Sequence, residues 1–471
     1  MFIRKPVVAG QFYEADAAKL RREVASYFKP VRPLLNERVI GVLAPHAGYA
    51  YSGATAGSAF SFLKEVDFDT VVIVGTGHTE AVDGAAIISE GVFETPLGRV
   101  EIDSGLARSL LSASKLFEDR PSAHAGEHSV EVELPFLQEI GKPFKFVPVV
   151  ANTTDLDILE ETGRILGKTI KGRKAVICVS SDLSHYPPGD VAERSDLALL
   201  EAFRTAIRNR DMRYFALAND LLLEKSKYCM DTAACGYAAM LIGAAAAVEL
   251  GAADFKLVKY THSGKISGED GKVVGYGAGL FLSGGDIEPR VLNKEQKKEL
   301  LALARTSVEN RLKNIKSPPL PLNSSPELNQ PAAVFVTLSR DGALRGCIGT
   351  MTPHQLLSDA VAAFAVAAAF EDPRFAPLSA EELATVKIEI SVLSPLRRVA
   401  GWEEIVEGKH GVYVQKGRSG GTYLPQVWEH FNSREKFLNS LCLEKAGLPA
   451  AAWKEKSTAL YVYTVDSFEE K

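Results

Sequence analysis

The sequence predicts an α/β fold, a sheet flanked by helices, followed by a smaller α+β domain. Three observations carry this. Apolar strand runs recur and lead into histidines, strand and helix alternate as far as Leu282, and the alternation stops beyond residue 288. The clearest run is Val71-Val72-Ile73-Val74, all β-branched, which reads as a strand buried on both faces. Gly75 and Gly77 then let the backbone turn into His78. The same grammar takes Val39–Ala44 into His46, and Ala175–Ser180 into Asp182 and His185. In open α/β sheets, ligands bind at the carboxyl ends of the strands.

Taken in order, a helix spans Asp16 to Phe28 with Leu20, Val24 and Phe28 on one face, and a second covers Ser52–Leu63. Ala85–Ile88 and Gly98–Ile102 read as short strands, and Asp103 caps a helix that ends near Ala113. Gly126, between His124 and His128, argues against one continuous helix there. Phe144–Val150 is a strand, Asp155–Ile170 a helix and Lys174–Val179 a strand; helices follow at Asp190–Arg208 and Arg213–Lys225. An Ala-rich helix comes after Cys235, and strands Phe255–Thr261 and Val273–Leu282 close the domain. Such alternation places helices on both faces of the sheet. The domains are therefore 1–284 and 292–471, joined by a connector at 285–291. In the second, a charged helix (Asn293–Leu312) precedes a Pro/Ser/Asn loop (Ser317–Pro331), and the turn Asp341-Gly342 introduces a strand over Leu344–Ile348.

A length of 471 residues calls for two or three domains. A net charge of -5 gives no reason to expect nucleic acid or an anionic membrane as partner. The five cysteines are dispersed with no C-x-x-C pair, which argues against a disulfide framework or zinc ribbon and for a reducing compartment. No signal-like start and no apolar run of spanning length are present, so a cytoplasmic protein is expected.

Imidazole and thiolate together suit iron, copper or zinc. The candidate ligands are His46, His78 and Cys235, with Asp182 and His185 beside them as orienting or acid/base groups. At each position a plainer reading stays open: a histidine after a strand is commonly a cap, and a cysteine in an Ala-rich helix is commonly a small apolar core group. No Lys-Ser/Thr follows Gly75-Thr76-Gly77, which argues against a P-loop. The absence of a G-x-S-x-G elbow argues against a serine hydrolase built on Ser181, Asp182 and His185.

Ala44-Pro45-His46-Ala47-Gly48-Tyr49, Gly126-Glu127-His128-Ser129-Val130-Glu131, Ser180-Ser181-Asp182-Leu183-Ser184-His185 and Ala234-Cys235-Gly236, in this order, resemble the Memo family, as does Gly275–Leu280. The resemblance implies a fold similar to the class III (LigB-type) extradiol dioxygenases. It implies His46, His78 and Cys235 as metal ligands, with Asp182, His185 and His128 lining the pocket. Related ring-cleaving dioxygenases keep a carboxylate where the Memo pattern has cysteine. The pair Cys235-Gly236 is here followed by Tyr237-Ala238 rather than the Arg-His of animal members.

Leu344-Arg345-Gly346-Cys347-Ile348-Gly349-Thr350, Glu371–Phe375 and Gly421–Trp428 resemble the AMMECR1 family. One reading is packing, with Cys347 in a strand and Arg345, Asp372 and Arg374 in ion pairs. The other makes Cys347 a thiol nucleophile or redox group beside Arg345, with His410 as base. Microbial proteins of these two families recur with a radical-SAM partner, so the resemblance implies such a partner and a small organic substrate, aromatic ones included. Three function classes follow. The first is a non-haem iron, dioxygenase-like enzyme with His185 as acid/base and Asp182 orienting it. The second is a metal-assisted hydrolase or lyase without O2, and the third an iron- or copper-binding adaptor without catalysis.

Overall fold

A computed structural model describes residues 2–31, 34, 37–284, 292–315, 320–417, 419–455 and 457–470. The expected connector at 285–291 lies outside these residues, as does the start of the Ser317–Pro331 loop. The chain divides into two compact units, Met1–Arg208 with Met212–Ile287, and Glu288–Lys471 with Asn209–Asp211.

The first unit is built on an eight-stranded sheet. Its strands are β1 (Arg38–Ala44), β2 (Thr70–Thr76), β3 (Ala85–Ile87), β4 (Phe117–Asp119), β5 (Lys145–Ala151), β6 (Ala175–Ser180), β7 (Ala252–His262) and β8 (Gly275–Ser283). They lie in the order β7-β8-β1-β6-β2-β5-β3-β4. The middle four, β1, β6, β2 and β5, are mutually parallel. Every residue of β2 is buried, which explains its unbroken apolar run: no position turns to water. Because β1, β6 and β2 are adjacent and parallel, their carboxyl ends, and the turns that bear His46, Asp182 and His78, open on one edge.

Helix α1 (Tyr49–Leu63) starts earlier than the sequence pattern indicates, because the Tyr51 and Ser52 N–H groups already close on the Gly48 carbonyl. The sequence also hides a strand at Gly91–Thr95. It pairs with Gly98–Glu101 and, in parallel, with Phe2–Arg4, a long-range match that local periodicity cannot show. The buried Arg4 guanidinium bonds the Glu131 carboxylate, which also receives the Val7 and Val8 N–H groups and the Tyr13 hydroxyl. The N-terminal segment is thereby pinned beside the sheet edge.

In the second unit the strands are β9 (Ala333–Arg340), β10 (Ala343–Gly349), β11 (Val386–Leu393), β12 (Arg397–Arg398), β13 (Gly411–Lys416), β14 (Ser419–Tyr423), β15 (Ala459–Tyr463) and β16 (Val465–Glu469). They form two antiparallel sheets, β10-β9-β11-β16 and β12-β15-β13-β14. Alternate residues of β9 and β11 (Val334, Val336, Leu338, Ile388, Ile390) join Leu300, Ala304, Val361 and Ala365 of two helices in one core. Asp341 (φ 53°) and Gly342 (φ 79°) make the β9–β10 turn, both with the positive φ that a tight hairpin needs. The first unit is the α/β sheet flanked by helices, and the second is the smaller α+β domain.

Candidate metal centre

His46, two residues past β1, is buried. Its backbone N–H donates to Asp182 Oδ1 at 2.8 Å, and Ala47 N–H donates to the same oxygen at 3.2 Å. The Asp182 carboxylate therefore holds the turn that carries His46, a different bond from the expected orientation of His185. The His46 Nε2 lies 3.1 Å from Cys235 Sγ, and the His46 Nδ1 lies 3.0 Å from Ser180 Oγ, the last residue of β6.

His78 leaves the end of β2 with its backbone N–H bonded to Glu127 Oε2 at 2.7 Å and its Nδ1 at 2.9 Å from Glu127 Oε1. A carboxylate can only accept, so Nδ1 carries the proton and the Nε2 lone pair is left for a cation. Burial alone would raise the Glu127 carboxyl. The hydrogen bonds from His78, with the Ser129 N–H, outweigh it and bring the group down to about 2.

Cys235 stands two residues before the Ala-rich helix α2 (Tyr237–Glu249), with Gly236 as its N-cap. The Gly236 N–H donates to Ser181 Oγ at 2.9 Å, and a Cβ on Gly236 would come within 2.4 Å of the Ser181 side chain. The Cys-Gly pair thus lets the thiol close on the β6 turn. Burial, with the Asp182 charge second, pushes the thiol well above its ordinary pKa, so without a cation it stays protonated.

One donor atom from each of His46, His78 and Cys235 lies within 4.8 Å of the others. Two imidazole nitrogens and a sulfur at that spacing match the borderline-soft donor set of iron, copper or zinc, so the residues fit the ion that the sequence suggests. Asp182, His185 and Cys235 form a second such group, and His78, Glu127 and His128 a third. His185 Nε2 is buried without a hydrogen-bond partner among the described residues. Burial holds its pKa below the usual value. His128 stacks on His78 with ring centroids 4.6 Å apart and meets the Phe12 ring edge-on at 5.0 Å. Burial chiefly lowers the His46 and His128 imidazoles too, so all three rings favour the neutral form. Burial raises the Asp182 carboxyl to about 7.

Sequence reasoning brought these six side chains together but gave no role to Glu127, Ser180 or Glu133. A signal existed: Glu127, Glu131 and Glu133 interrupt a segment that ends in Leu134-Pro135-Phe136, and all three are buried.

In the second unit, Cys347 on β10 faces Thr337 on β9, whose hydroxyl donates to the thiol sulfur at 3.2 Å. The Cys347 N–H donates to Asp372, which also receives the Arg374 guanidinium. Arg345 is spent on Glu382, at 2.9 and 3.0 Å, and on the Ala376 carbonyl. The guanidinium bonded to the Cys347 backbone carbonyl is that of Arg374. His410 precedes β13 in the other sheet, and its Nδ1 accepts the Val406 N–H at 3.0 Å, which takes that nitrogen's lone pair.

A family model described as Memo-like protein matches residues 4–280, and one described as AMMECR1 matches residues 301–468. A MEMO1 family protein of Nitrosopumilus maritimus is 36% identical over 286 residues, covering 59% of this chain and 100% of that protein. One from Methanococcoides burtonii is 39% identical over 279 residues, covering 59% and 98%. The solved structure of an uncharacterized protein from Pyrococcus horikoshii is 38% identical, covers 38% of this chain and 94% of that one, and has a TM-score of 0.33. Among the described residues, no helix is long and apolar enough to cross a membrane.

Proposed function

Because the chain belongs to the Memo family through residues 4–280 and carries an AMMECR1 domain at 301–468, we propose that it is a non-haem metal-dependent enzyme acting on a small organic molecule. The observation that carries this reading is the convergence of His46, His78 and Cys235 within 4.8 Å. The His46 and His78 Nε2 atoms and the Cys235 thiolate would hold the ion, iron first, with copper or zinc as alternatives. When bound, iron supplies Lewis acidity and open coordination positions for substrate and dioxygen.

The chain's own residues do the rest. Loss of the Cys235 proton on binding makes affinity rise with pH. Glu127 fixes the ring of His78, and Asp182 fixes the turn of His46. His185, neutral and with Nε2 unpartnered, is placed to take a proton there and return it. His128 and Phe12 present ring faces and edges that suit a flat, apolar substrate. In the second unit the Cys347 thiol, half-buried and bonded by Thr337, is the group we assign to a second pocket. A radical-SAM protein remains the proposed partner, and a cytoplasmic location the proposed compartment.

Metal quantification of protein purified without oxygen tests the ligand set. Cys235→Ser should lose most bound iron while its circular dichroism stays that of the wild type; full retention of iron would overturn the assignment. Oxygen uptake with a catechol-like compound supports the dioxygenase reading, and turnover without uptake supports hydrolase or lyase chemistry. Tight Cu(I) binding without turnover would replace the enzyme with an adaptor. For the second pocket, Cys347 should be alkylated faster than the fully buried Cys442, and equally slow labelling would return it to packing.

A further inference from the structure

His46 has two ring nitrogens with different neighbours: Nε2 faces Cys235, and Nδ1 faces Ser180. Ser180 Oγ has three close partners. It lies 2.6 Å from the Ser129 carbonyl oxygen, 2.8 Å from Glu133 Oε1 and 3.0 Å from His46 Nδ1. A serine hydroxyl owns one hydrogen and two acceptor sites. A carbonyl oxygen can only accept, so the Ser180 hydrogen lies on the line to Ser129. Both other partners then face a lone pair, and each must bring its own hydrogen.

From this count we infer that Glu133 is held as a neutral carboxylic acid and that Ser180, its hydrogen spent on Ser129 and one lone pair filled by Glu133, sets His46 in the Nδ1–H tautomer. The Nε2 lone pair is thereby aimed at the space shared with Cys235 and His78. Ser180 is a positioning residue, since it touches Nδ1 rather than the donor atoms themselves.

Three further observations agree. Glu133 is fully buried, and its other oxygen, Oε2, has no partner among the described residues. An unpartnered oxygen is a modest cost in a neutral acid and a severe one in a buried carboxylate. Burial, against the lowering effect of the Ser180 contact and with Asp182 adding a like charge, pushes this carboxyl well above its ordinary range. Ser129 cannot easily turn away, because its hydroxyl bonds the Thr76 carbonyl and accepts the Thr76 N–H, while its own N–H is held by Glu127. The two imidazoles are thus set by different means: His78 by an ionised carboxylate in direct contact, His46 by a hydroxyl whose hydrogen is spent elsewhere.

The hydrogen count stands without any ion. Only its consequence for Nε2 rests on the function proposed above, and the experiment separates the two. In the metal-free chain labelled with 15N-histidine, two-bond 15N–1H correlation reads the His46 tautomer, assigned by its loss in His46→Ala. We expect Nδ1–H. The infrared difference between wild type and Glu133→Gln should show the carbonyl band of a protonated acid at neutral pH. Glu133→Gln, still a neutral donor, should keep the tautomer and bind Fe(II) within about threefold of wild type. Glu133→Met cannot donate but leaves the Ser180 hydrogen on Ser129, so it too should keep the tautomer; Ser180→Ala removes the acceptor at Nδ1, should give mixed tautomers and should weaken Fe(II) binding about 10- to 100-fold. A carboxylate band from Glu133, or an Nε2–H tautomer in the wild type, would overturn the inference. The expected spectra in a chain that binds no Fe(II) would instead overturn the metal reading alone.

Discussion

Glu127 and Glu133 belong to one short, buried segment, yet one is ionised and the other neutral. What decides is which hydrogens their neighbours can offer: Glu127 receives the His78 and Ser129 N–H groups, whereas Glu133 meets an oxygen whose hydrogen is already committed. Asp196 is a third case. It is fully buried, accepts the Tyr260 hydroxyl at 2.8 Å and the Ser184 N–H at 3.0 Å, and burial raises it to about 7. Its folded pKa is above its unfolded value of 3.8, so the folded chain keeps a proton that the unfolded chain releases. The stabilisation is complete below about pH 4 and is lost as pH rises through about 7, at roughly 1 kcal/mol per unit between. Asp196→Asn removes this term. Urea midpoints at pH 5 and pH 7 should fall further with rising pH in wild type than in the variant, and parallel falls would contradict the burial argument.

At the scale of elements, histidines at strand ends were legible because the strand, its turn and the side chain are all local in sequence. The Asp103 cap was legible for the same reason: its side chain accepts an N–H of its own helix's first turn. The early start of α1 and the strand at Gly91–Thr95 were not, since the latter depends on a partner at residues 2–4. On β10, Arg345-Gly346-Cys347 drew attention for its cysteine, but its glycine has the firmer structural reason. A Cβ at Gly346 would stand 2.1 Å from the Ala368 carbonyl of the helix packed on this sheet. Gly346→Ala should therefore destabilise the second unit by about 1–3 kcal/mol in chemical denaturation. An unchanged midpoint would show that the helix can withdraw at little cost.

Across the whole molecule, the sequence by itself determined the two families, the α/β character of the first unit and the edge at which its chemistry gathers. These rest on periodicity, on turn residues and on motifs in a fixed order, all of which are written locally along the chain. Only the tertiary structure decided which atoms meet there. His46 touches Cys235 and Ser180, Ser180 touches Glu133, and Asp182 grips the His46 turn rather than His185. Each of these pairs is far apart in the chain: the neighbouring β1 and β6 join His46 to Ser180 and Asp182, the start of α2 brings Cys235, and the buried turn at 131–133 brings Glu133. The protonation of the site follows from the same contacts, because a hydrogen bond needs one donor and one acceptor, and which group supplies the hydrogen depends on every neighbour at once.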